Sequence, residues 1–119
     1  MSDQRETDAG NLWVWPGTHL THAAYFREHG PDSFFTAAPY PDVPLPEPEQ
    51  VTGRAGDLLL AHYLLGHNIG GNTSRAVRRA VYFRLKRHDH DAHWREFIQQ
   101  PWRDYGPLTD TVRLPGEAG

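Results

Sequence analysis

The sequence predicts a mainly β domain with flanking helices, an α+β fold. Three observations carry that reading. Two apolar runs, Leu58–Leu65 and Ala80–Leu85, flank a polar stretch holding Gly70-Gly71 and Asn72-Thr73-Ser74, the pattern of strand, turn, strand. Residues 11–15 alternate Leu12 and Val14 with Trp13 and Trp15, so both faces are apolar and the strand belongs inside a sheet. Two short stretches with helical spacing, 19–29 and 92–100, lie outside these runs.

A chain of 119 residues is one domain by length and buries roughly two-thirds of its unfolded surface. Net charge is −3, which argues against a nucleic-acid partner, whose footprint is basic. Arg75, Arg78, Arg79 and Arg84 are a local exception. There is no cysteine, so neither a disulfide framework nor a thiolate ligand is available. No run reaches the roughly 20 apolar residues of a membrane span, and the polar, acidic N-terminus is no signal peptide. These features lead us to expect a cytoplasmic protein.

Taken in order, residues 1–10 read as a loose N-terminus, 11–102 as the domain, and 103–119 as a C-terminal tail. Pro16-Gly17 stops the first strand, and Thr18 suits the N-cap of a helix over His19–His29, which Gly30-Pro31 ends. His19 and His22 lie three apart on that helix. They read either as a metal pair or as a turn anchor plus a solvated ring, and the spacing alone favours the second. Pro31, Pro39, Pro41, Pro44, Pro46 and Pro48 make 31–48 an extended loop. Glu49–Arg54 is a marginal strand and Leu58–Tyr63 a central one, with His62 breaking an apolar face. A hydrogen-bonded core histidine is the simpler account of His62 than a pocket residue. The His-rich run Lys86–His93 reads as a hydrated turn, with Asp91 capping a helix over Ala92–Gln100.

Two residues suit chemistry. His67 ends the first apolar run, and Arg78 opens the second eleven positions later. If those strands pair as a hairpin, imidazole and guanidinium face one interior, with Tyr82 beside the arginine by strand parity. An imidazole is a ligand for Fe(II), Zn or Cu, and a guanidinium is a bidentate clamp for a carboxylate.

The stretch Gly56-Asp57, His67, Asn72-Thr73-Ser74 and Arg78 resembles the C-terminal half of the phytanoyl-CoA dioxygenase-like family. A second block is similar to that family's strand and its Pro-Gly-Ser-His turn: residues 10–14 (Gly-Asn-Leu-Trp-Val) followed by residues 16–19 (Pro-Gly-Thr-His). The blocks occur in family order. The resemblance implies a partial double-stranded β-helix (jelly-roll or cupin-like) lacking its N-terminal strands. It further implies an Fe(II)- and 2-oxoglutarate-dependent dioxygenase acting on a small organic molecule. It casts His67 as an iron ligand, Arg78 as the 2-oxoglutarate clamp, and Asn72, Ser74 and Tyr82 as supporting residues. The family's other two ligands come as His-x-Asp or His-x-Glu. Here the residues two after each histidine are Thr21, Ala24, Pro31, Leu64, Ile69, His90, Ala92 and Arg95, none of them acidic. Ile69 also stands where relatives often carry a small polar residue. The alternative expectation is a truncated, non-catalytic half-barrel, whose open sheet edges would pair with a second copy as a homodimer.

Overall fold

A computed structural model describes residues 1–106; most of the tail expected over 103–119 lies outside the described residues. The chain is mixed α and β. Its helices, α1 (Thr18–His29) and α2 (His90–Phe97), outweigh its strands β1 (Leu12–Trp15), β2 (Glu49–Gln50) and β3 (Gly66–Ile69). The strands form one antiparallel sheet in the order β2-β1-β3.

The expectation for the first strand holds: β1 is central. Its partners are Glu49 and Gln50 on one side and residues 66–69 on the other. Cross-strand neighbours share a face, so Leu12, Val14, His67 and Ile69 lie on one face. Trp13, Trp15, Gly66 and Asn68 lie on the other. The start of α1 covers the second face. There the Thr18 hydroxyl donates to the Trp15 carbonyl (2.6 Å) and accepts from the Gly66 amide (2.7 Å). Thr18 is therefore the first helical residue and a tie to β3, not the cap; Gly17 takes the cap position with φ 78°. Gly70 is required for a different reason: a Cβ there would land on the Trp13 indole.

Two expected strands are absent. Leu58–Tyr63 and Arg78–Leu85 have no strand partners among the described residues, and β3 is instead the polar sequence Gly-His-Asn-Ile. A continuous apolar run is a strand signal only where layers cover both faces. Here Leu58 is 87% and Leu85 83% exposed. The hairpin that would join His67 to Arg78 does not form. The Pro-rich loop, expected to be irregular throughout, opens with a 3-10 turn at Pro31–Phe35. Phe34 lies between Phe26 of α1 and Trp94 of α2, its ring tilted against both. The closely packed interior lies near the helices, with Ala23, Phe26, Phe97 and Ile98 buried.

Residues 1–10 are not loose in the structure; they thread between 50–57 and 72–79. Gln4 and Gly53 exchange backbone hydrogen bonds, and Ser2 bonds the backbone of Arg79. The pin is Asn11, which is fully buried. Its side chain accepts from the Ala9 amide (2.9 Å) and donates to the carbonyls of Glu6 (3.1 Å) and Val51 (2.9 Å). Asn11→Ala should lower unfolding free energy by about 2–4 kcal/mol in urea titration. A loss under about 0.5 kcal/mol, the range of an ordinary surface change, would show that these bonds are not made in solution.

Candidate functional site

The antiparallel ladder of β1 with β3 runs on past the strands. His67 lies opposite Val14, and the same register places Asn72 opposite Ala9. The Gly70 and Gly10 amides bond the carbonyls of Asn11 and Gly71 between them. The ladder has two ends, and the sequence-predicted site residues divide between them.

Arg78, Asn72, Ser74 and Tyr82 gather at the Gly10 end. The Arg78 stem and the Asn72 Cβ both lie within van der Waals reach of the position a Gly10 side chain would occupy. Arg78 donates from Nε to Gln4 Oε1 (2.8 Å) and from Nη2 to the Tyr82 hydroxyl (2.6 Å). The guanidinium carbon lies 5.6 Å from the centre of the Tyr82 ring. Gln4 is itself buried and held by the Ala9 carbonyl. A charged fork held on two sides is set in one orientation, the condition for bidentate recognition of a carboxylate. Asn72 and Ser74 spend their polar atoms on their own turn. Asn72 Oδ1 accepts from the Ser74 amide and hydroxyl, and its Nδ2 donates to the Ala76 carbonyl. They shape the approach to Arg78 in the manner of an Asx turn.

His67 sits at the other end, exposed on the open face of the sheet. Val14 lies four residue steps of extended chain from Gly10, about 13 Å, so imidazole and guanidinium do not share the interior that a hairpin predicts. The His67 ring is nevertheless ordered. Its Nδ1 lies 2.8 Å from the Leu65 carbonyl. A carbonyl only accepts, so Nδ1 carries a hydrogen, and in the neutral ring the lone pair is on Nε2. A ligating histidine is usually oriented in this way. A facial triad needs two further donors. Among the described residues no group of three or more His, Cys, Asp and Glu side chains is placed to hold a metal ion. The described residues do not fit an iron site.

Sequence reasoning missed Gln4, which sits in an unpatterned polar segment with no motif to mark it. The His-rich run is a turn only up to Asp89, since His90 and His93 lie within α2. Lys86 pairs with Asp91 (2.6 Å) and Arg87 with Asp89 (2.8 Å). Asp91 is thereby occupied, and Asp89 takes the cap position. A hollow of about 240 Å³ is lined by Arg87, Asp89, His93, Glu96, Phe97 and Arg103. Both its arginines are already paired, Arg103 with Glu96 at 2.8 Å, so it offers no free cation to an anion.

The sequence model of the phytanoyl-CoA dioxygenase (PhyH) family matches residues 3–80. That is more than half the chain, and the protein belongs to this family. Its members generally use Fe(II) and 2-oxoglutarate. Comparison with curated proteins and with solved structures gave no match. No helix among the described residues is long and apolar enough to cross a membrane.

The His67 tautomer is directly measurable. Long-range ¹H–¹⁵N spectra at pH 8 should show Nδ1 protonated and Nε2 bare. The opposite tautomer would mean the Leu65 contact is not made, and with it the outward-facing ligand position.

Proposed function

We propose that this chain is the cosubstrate-binding part of an oxygenase of the phytanoyl-CoA dioxygenase family, a partial double-stranded β-helix in which Arg78 receives a carboxylate of 2-oxoglutarate. The observation that carries the reading is the Arg78 fork, fixed by Gln4 and Tyr82 within the stretch that matches the family. Among the described residues Nη1 has no hydrogen-bond partner, which leaves an edge of the guanidinium for a ligand. Tyr82 is 60% exposed, so the site opens to solvent and accepts a small diacid without a channel. The chain's own residues bind and orient: Arg78 supplies charge, Tyr82 and Gln4 hold its angle, and the Asn72–Ser74 turn sets the rim. Iron, where bound in family members, supplies the oxidising chemistry; here His67 is oriented as a ligating histidine would be. The oxidised substrate would be a small organic molecule.

A second reading has its own support. Leu58, Leu60, Val77, Val81, Phe83 and Leu85 are each more than 70% exposed. So much exposed apolar surface is characteristic of an interface. Edge strands β2 and β3 are also open to pairing. In this reading the chain is a non-catalytic module that dimerises.

Isothermal titration with 2-oxoglutarate separates the two. Wild type should bind, and Arg78→Ala should weaken binding by about 10- to 100-fold, the worth of a lost charge-assisted pair. Arg78→Lys should recover only part of it, because an ammonium lacks the fork. Absence of binding by wild type at millimolar ligand, together with a dimer in sedimentation that Phe83→Asp dissociates, would replace the first reading with the second.

A further inference from the structure

We propose that His62 is a proton-operated latch: its neutral ring holds the 62–65 corner and the 98–105 segment together against α1, and protonation releases them.

The geometry fixes the ring's protonation state. Nδ1 accepts from the Leu64 amide at 3.0 Å, and Nε2 bonds the Pro101 carbonyl. An amide only donates and a carbonyl only accepts, so the ring must be neutral with its hydrogen on Nε2. Adding a proton to Nδ1 sets two donors against each other and breaks the Leu64 bond. No tautomer of the charged ring restores it.

The surroundings make that bond a junction. From α1, the His19 ring packs 5.6 Å from His62 and 5.3 Å from Trp102, while His22 bonds the Leu64 carbonyl at 2.7 Å. From the corner itself, Tyr63 stacks on His62 at 4.6 Å. From the segment after α2, Pro101 is fully buried, and the rings of Trp102 and Tyr105 lie 5.7 and 5.3 Å from His62. The Asp104 side chain, only 9% exposed, faces His90 of α2 at 3.1 Å and hydrogen-bonds Tyr63. The corner leads straight into β3, and its Leu65 carbonyl orients His67. Opening it therefore loosens three elements at once.

The electrostatics run the same way. Burial holds His62 below the ordinary imidazole value; the Pro101 carbonyl opposes this, the neighbouring His19 adds to it, and Asp104 opposes it. Burial lowers His19 as well. Partial burial, and then the Asp104 carboxylate, push the Tyr63 hydroxyl up, so Tyr63 stays protonated throughout the neutral range. With folded values below the unfolded value of about 6.5, the unfolded chain takes up these protons first. Stability is complete above about pH 6.5 and falls as pH drops through the folded-state values.

The test uses the full chain and a His62→Gln variant, whose side chain offers one acceptor and one donor but does not titrate. Between pH 7.5 and 5 the wild-type Leu64 amide should lose protection from hydrogen exchange by at least about tenfold, after correction for the intrinsic rate. The melting temperature of wild type should fall more steeply than that of His62→Gln. Coincident melting profiles, or pH-independent protection of Leu64, would overturn the latch. Should the variant fail to fold, the wild type decides alone: titration of His62 at or above the ordinary imidazole value rejects the proposal, and titration below it with loss of Leu64 protection sustains it.

Discussion

The register of β1 against β3 is the constraint from which the rest of the site follows. Once Val14 faces His67 and Ala9 faces Asn72, the imidazole and the Arg78 fork are assigned to opposite ends of one ribbon. Slipping the pairing by a single residue would turn His67 to the face covered by α1 and bury the polar Asn68 row differently. Two features oppose such a slip. Trp13 occupies the space where Gly70 lacks a side chain, and Thr18 holds Gly66 from the helix side. Asn11 then stitches the N-terminal segment and the residues after β2 onto the same ladder, which brings Gln4 to Arg78.

Much of the local structure was legible in the residues. Two-faced alternation of Leu12, Val14, Trp13 and Trp15 marked the central strand, and Gly30-Pro31 marked the end of α1. The illegible part has a physical cause. Leu58–Leu65 and Ala80–Leu85 carry the composition of buried strands, but burial depends on a covering layer that composition cannot supply. The strand that did form, Gly66–Ile69, is nearly invisible to periodicity: one glycine, two polar residues and a single isoleucine. Its conformation comes from pairing with β1. The N-terminal segment was illegible for the same reason, because its order lies in bonds to residues more than forty positions away.

The site divides similarly. The sequence favours a hydrogen-bonded core histidine at His62, and both its ring nitrogens are satisfied. Arg78 with Tyr82 beside it follows from spacing, and the two side chains do meet, although no strand brings them together. Asn72 and Ser74 turned out to bond each other. The hairpin uniting His67 and Arg78 is absent, yet family membership does not depend on it: the match is one of sequence and spans residues 3–80. Membership and a working iron site are separate properties, and the sequence match speaks only for the first.

The central claim is that the Arg78 corner, held by Gln4 and Tyr82, is where this chain meets a 2-oxo acid. Chemical-shift mapping with 2-oxoglutarate tests it most directly. The account predicts that the Arg78 Nε–H and the amides of Gly10, Asn72 and Tyr82 shift together along one binding curve, while the Arg87 and Arg103 side chains stay in place. Shifts centred on Arg87 and Arg103, or no saturable shifts at all, would contradict it.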